Sequence, residues 1–335
     1  MFDFGLVLGA GGGTGRAFNA GVLAALDDML GIDARAARVV IGTSAGAVDG
    51  ALVRAGIAPR DLFDRIATGQ CSPAGAELFA SIPDWEEPEE VGPPVPWRPS
   101  SPARLAALAR RPWHVLPRTL GTVVAAVMPL GRRSTDVVEG ALHPLHPERW
   151  PGLPLWVCAV RLDDGRRVVF GRDADVPDTT VGRAVAASCA MPGYFAPVDI
   201  GGARYVDGGM FSTTNADLLA GSGLDLVIIT APNTMVPGAR GPSADAMFRS
   251  SCRILTRHEA VTVRRAGSAV LLLAPSADDV RAMGTVSDSM SSLHLAEVAL
   301  QAYESTLRRL SHGPLADAVA SVANRSRAAL ERSAS

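Results

Sequence analysis

The stretch Arg38-Val39-Val40-Ile41-Gly42-Thr43-Ser44-Ala45-Gly46-Ala47 runs from a short apolar strand, through a glycine-flanked serine, into helical spacing that stops at Gly56. It fits the pattern G-x-S-x-G in a strand–turn–helix context. Such a turn strains its serine and presents the hydroxyl. It needs small neighbours, here Gly42 and Gly46, so that the backbone can close. The N-terminus of the following helix favours negative charge beside it. Ser44 is therefore a candidate nucleophile. The same reading predicts a parallel sheet covered by helices, an α/β fold.

Working outward, Phe4 to Leu8 reads as a buried strand. It runs into Gly9-Ala10-Gly11-Gly12-Gly13-Thr14-Gly15, and helical spacing follows from Ala17 to Leu30, with Gly31 as its stop. Three readings of this loop stand side by side. It does not fit the dinucleotide pattern G-x-G-x-x-G, because the last glycine position falls on Thr14, Arg16 or Phe18 in the three possible registers. The amides of Gly11, Gly12 and Gly13 could instead converge on a developing oxyanion. The loop could also be a packing turn alone. Further on, strands are expected at 155–161, 166–170, 203–206, 224–230 and 269–274, and helices at 181–190, 243–266 and 291–310. Asp207-Gly208-Gly209 follows one of these strands. That setting suits an active-site carboxylate, although Asp-Gly-Gly is also a common turn.

Composition removes several chemistries. All 32 basic residues among the 335 are arginine. Without lysine there is no Walker A phosphate loop, no Schiff base and no Ser-Lys hydrolase. A net charge of -2 with 20% charged residues argues against a nucleic-acid partner. Cys71, Cys158, Cys189 and Cys252 form no C-x-x-C pair, so they read as reduced thiols in a cytoplasmic protein and not as a metal site. No basic leader precedes Phe4, and no apolar run reaches the roughly 18 residues of a spanning helix.

Residues 83–150 break the rhythm. Residues 83–102 hold seven prolines and the acidic group Glu86, Glu87, Glu89 and Glu90. Val91 to Thr135 then has no acid but seven arginines, from Arg98 to Arg133, with Trp97 and Trp113 among them. An insertion is expected here, either a solvated excursion or a cationic lid against anionic lipid, with peripheral membrane contact through Arg98–Arg133. Residues 312–335 are expected to form a helix or a frayed tail after a domain spanning 1–311. Of the six histidines, His143 and His146 lie among prolines in a surface-loop setting, and His258, His294 and His312 fall in or near helices.

In combination, Gly11-Gly12-Gly13, the Ser44 elbow, Ala187-Ser188-Cys189-Ala190-Met191-Pro192 and Asp207-Gly208-Gly209 appear in the order typical of patatin-like lipid acyl hydrolases. The chain resembles that family over about residues 4 to 235, outside the insertion. The resemblance implies a three-layer α/β fold with a mainly parallel sheet. It implies a serine hydrolase of lipid esters with a Ser44–Asp207 dyad and an oxyanion hole at Gly11, Gly12 and Gly13, acting without metal or cofactor. One departure is visible: Gly15-Arg16 stands where many members have Arg-Gly, which leaves open how the loop is braced. Two rivals are an α/β-hydrolase triad drawing on His258 or His294, and a catalytically silent binding protein of the same fold.

Overall fold

The computed structural model describes residues 3–83, 88–91, 99–102, 104–106, 120–147, 150–235, 243–290 and 293–311. Eight strands form one sheet: β1 (Phe4–Leu8), β2 (Val39–Thr43), β3 (Leu155–Arg161), β4 (Arg167–Phe170), β5 (Val198–Ile200), β6 (Ala203–Asp207), β7 (Leu226–Thr230) and β8 (Ala269–Leu273). The order is β5-β6-β3-β2-β1-β7-β8, with β4 also on β3. Pairings from β3 through β2, β1 and β7 to β8 are parallel, whereas β4, β5 and β6 are joined antiparallel. Strands β1, β2 and β7 are buried along their whole length, as apolar runs covered on both faces must be.

The helices are α1 (Gly12–Leu30), α2 (Ala45–Arg54), α3 (Pro59–Ala67), α4 (Pro73–Ala80), α5 (Leu120–Val127), α6 (Asp136–Leu142), α7 (Val181–Ser188), α8 (Ser243–Arg265), α9 (Ala277–Met283) and α10 (Leu295–Ser311). One face of the sheet carries α1, α2, α7 and α10 on a large apolar cluster that includes Leu6, Leu8, Phe18, Val185 and Val298. The other face carries α8, whose Ala260 and Val263 meet Val7, Ile41 and Val227. The result is the expected three-layer α/β arrangement.

The start of α1 differs from its expected place. Four glycines between 11 and 15 are poor helix formers, yet the helix begins at Gly12 and the glycines make its first turn. Close packing decides this. A Cβ on Gly12, whose φ is 60°, would lie 2.5 Å from the Ser289 carbonyl oxygen, and one on Gly11 would lie 2.7 Å from Gly15 Cα.

The described part of the insertion packs against the end of β6. Ala125 of α5 joins Val160, Leu162 and Val206, and Gly121 abuts the Met210 carbonyl. Its described arginines are engaged within the protein. Arg104 bonds to the Asp164 carbonyl and to Thr122, Arg132 pairs with Glu90 at 2.7 Å, and Arg133 stacks 4.5 Å over Tyr194. Arg98, Arg110, Arg111, Arg118, Trp97, Trp113, His114, Glu86, Glu87 and the tail 312–335 lie outside the described residues. His146 departs from its surface-loop expectation: it is buried, with Nε2 2.9 Å from the Ala51 carbonyl.

Candidate active site

Strand β3 brings the two candidate catalytic residues together. Its residues Leu155 to Cys158 pair with Val40 to Thr43 of β2, and Ala159 to Arg161 pair with Asp207 to Tyr205 of β6. Strand β4 pairs with Val157 to Val160 and so overlaps both partners. An edge of a strand accepts one partner at each position. Strands β2 and β6 must therefore share the edge opposite β4, approaching from opposite directions. They end at neighbouring positions, Thr43 across from Cys158 and Asp207 across from Ala159.

Ser44 follows Thr43 with φ 53° and ψ −121°, a conformation that costs a non-glycine residue on the order of 1–3 kcal/mol. Tertiary packing maintains it. A Cβ on Gly46 would sit 2.0 Å from the Leu8 carbonyl oxygen, so the turn closes onto β1 only with glycine there. Gly42 is equally tight, 2.4 Å from Ala47 Cα by the same measure. The Ser44 amide donates to Ser188 Oγ at 2.8 Å, and that hydroxyl donates to the Cys158 carbonyl at 2.6 Å. Asn215 fastens the preceding residue, donating from Nδ2 to Thr43 Oγ1 at 3.0 Å. Sequence reasoning assigned no role to Ser188 or Asn215; the one available signal was the serine of the Ala187–Pro192 block.

Asp207 is buried, 2% exposed, and the Ser44 side chain lies close enough to favour its ionised form. Oδ1 accepts the Gly209 amide at 2.7 Å. Burial raises its pKa to about 6, against the opposing pull of the Ser44 side chain and the Gly209 amide. The carboxylate is thus ionised at neutral pH yet basic enough to take a proton. Gly208 permits the turn, since its Cβ would lie 2.2 Å from the Cys158 carbonyl. The Cys189 thiol lies near Ser44, and burial pushes its pKa far up, so it stays a neutral thiol.

The glycine loop ends β1 at the same end of the sheet. The first bond of α1 runs from the Gly15 amide to the Gly11 carbonyl at 2.8 Å. The amides of Gly12, Gly13 and Thr14 therefore precede the helical ladder, as donors at a helix N-terminus. Arg16 supplies a brace. Its Nε donates to Asp49 Oδ1 of α2 at 2.9 Å, while Asn19 donates to Asp49 Oδ2 at 3.0 Å and accepts from Thr230 Oγ1 at 2.7 Å. The glycine-loop helix is thus tied to α2, which follows Ser44, and to β7. Asp49 is buried, and burial raises its pKa despite these partners.

His258 lies on the exposed side of α8, and His294 is exposed with its ring 3.6 Å from Glu297. Among the described residues no group of His, Cys, Asp and Glu could hold a metal, and no helix is long and apolar enough to cross a membrane.

Residues 6–220 match the sequence model of the Patatin-like phospholipase family. No curated protein matches the chain. Solved structures similar to it include VipD from Legionella pneumophila, with 15% identity over 92% of this chain and 67% of VipD, at a TM-score of 0.40. The type III effector protein ExoU is also similar, with 19% identity over 92% of this chain, at a TM-score of 0.35; the chain spans 52% of its length. With the family match extending over most of its length, from the glycine loop past Asp207, the chain belongs to the patatin-like phospholipase family.

Proposed function

We propose that this chain is a serine acyl hydrolase of lipid esters. Ser44 Oγ attacks the ester carbonyl as Asp207 takes its proton, and the alcohol leaves to give an acyl-Ser44 intermediate. Asp207 then activates water, and acid release restores Ser44. The amides of Gly11, Gly12 and Gly13 hold the oxyanion; such a donor typically contributes about 3 kcal/mol. The Ser44 amide is already committed to Ser188 and so is not one of these donors. Serine, carboxylate and amides complete this chemistry without metal or cofactor.

The observation that carries the reading is the placing of Ser44 beside the buried Asp207 carboxylate at the meeting ends of β2 and β6. A second reading, a silent binding protein, rests on the exchanged Gly15-Arg16, but Arg16 retains a bracing role through Asp49. Hydrolysis of a chain-length series of p-nitrophenyl esters, diacylglycerols and phospholipids tests the proposal. Turnover by the wild type and none by Ser44→Ala is expected. A folded wild type that turns over no ester overturns it.

A further inference from the structure

Helix α8 lies over the sheet with its inner face fully used. Cys252, Thr256, Glu259, Ala260 and Val263 are all buried. Its outer face carries Met247, Ile254 and Val261, exposed by 71%, 66% and 40%. These residues are seven apart, so they line one side of the helix along about four turns, with exposed Ser251 and His258 between them. Arg257 and Arg264 run beside this line, and Arg265 ends it, all exposed; Arg264 also reaches the Val270 carbonyl. The two acids of α8 are absent from this face. Asp245 is bound to Arg249 and to the Val286 amide, and Glu259 is buried on Thr214 and the Ala216 amide.

We propose that the outer face of α8 is a docking surface for anionic lipid bilayers. Exposed apolar side chains with arginines beside them match a bilayer surface, which offers hydrocarbon beneath phosphate. A second copy of the chain matches poorly. A two-fold contact sets this face against itself, arginine near arginine, with no acid to pair. The surface is also placed for use. The N-terminal part of α8 follows the end of β7 on the Ser44 side of the sheet. There Arg249 donates to the Pro232 carbonyl, and Pro232 lies beside Gly11. A docked α8 brings the rim of the glycine loop to the lipid. This purpose rests on the lipid-ester reading above, whereas the docking itself needs no turnover.

The test is co-sedimentation of the full chain with vesicles of phosphatidylcholine alone or mixed with phosphatidylserine, at low and high salt. Binding is expected only with phosphatidylserine and is weakened by salt. Arg257→Gln and Arg264→Gln should each weaken it about fivefold, and Ile254→Glu should abolish it. Arg257→Gln and Ile254→Glu should keep the wild-type melting temperature, and all three variants the wild-type rate on a soluble short-chain ester. Failure of the wild type to bind phosphatidylserine vesicles, or variants that bind as the wild type does, overturns the proposal. So does a wild-type dimer that Ile254→Glu dissociates. Vesicle binding without ester hydrolysis sustains the docking surface and defeats the hydrolase reading; hydrolysis of a soluble ester without vesicle binding does the reverse.

Discussion

Replacing Asp207 by asparagine should abolish turnover and, at the same time, stabilise the fold. The carboxylate sits where its pKa is about 6, against 3.8 for the free group. A raised acid pKa means that ionisation is penalised in the folded state. The penalty is absent below pH 3.8, grows between 3.8 and about 6, and is complete above it. At 1.36 kcal/mol for each tenfold change, it reaches about 3 kcal/mol at pH 8 and about half that at pH 5. Asparagine is nearly isosteric and carries no charge. Its oxygen can accept the Gly209 amide as the Asp207 carboxylate does, and its NH2 can donate towards Ser44 Oγ. Urea denaturation of wild type and Asp207→Asn at both pH values measures the difference. The variant should be more stable by about 3 kcal/mol at pH 8, with the gain roughly halved at pH 5. A variant less stable than the wild type at pH 8, or a gain that does not change with pH, refutes the argument that burial of the charge sets the pKa of Asp207.

Further outcomes follow from the same geometry. The wild-type kcat/KM should rise with pH through a limb near 6, because the proposed mechanism needs ionised Asp207 as base and the free enzyme sets this limb; a profile flat from pH 5 to 8 would count against that role. Ser188→Ala strips the buried Ser44 amide and Cys158 carbonyl of their shared partner. It should cost about 1–3 kcal/mol in urea denaturation and lower kcat more than it raises KM. Arg16→Ala leaves buried Asp49 with Asn19 alone. Because Arg16 is itself about one-third exposed, the expected loss is about 1–2 kcal/mol, greater at pH 8 than at pH 5.

What the sequence made legible was mostly local. The Ser44 elbow can be read because close backbone approach demands small residues at fixed spacing, and Gly46 against Leu8 shows the demand. The strand–helix rhythm can be read from apolar runs and their stops; seven strands, the helices α2, α7, α8 and α10, and the end of α1 lie within a few residues of their expected places. Short elements with weak signals, β5, α3, α4 and α9, were not singled out. The contact between Ser44 and Asp207 is non-local. It depends on β3 pairing end to end with two strands from opposite directions, and only the family resemblance linked these residues. The beginning of α1 was misplaced because tertiary packing at Gly11 and Gly12 overrides glycine's poor propensity. His146 looked exposed because its flanking prolines mark a turn, but the turn packs onto α2. The brace from Arg16 to Asp49 spans two helices, and no local pattern announces it.

The central claim is that Ser44 is activated by Asp207 without a histidine. Labelling with a fluorophosphonate, followed by peptide mass spectrometry, tests it most directly. The wild type should carry the adduct on Ser44. Ser44→Ala should carry none, and Asp207→Asn should label far more slowly although it is folded. His258→Ala and His294→Ala should label at the wild-type rate. Loss of labelling in a folded His258→Ala or His294→Ala variant, or an adduct on another residue in the wild type, would contradict the account.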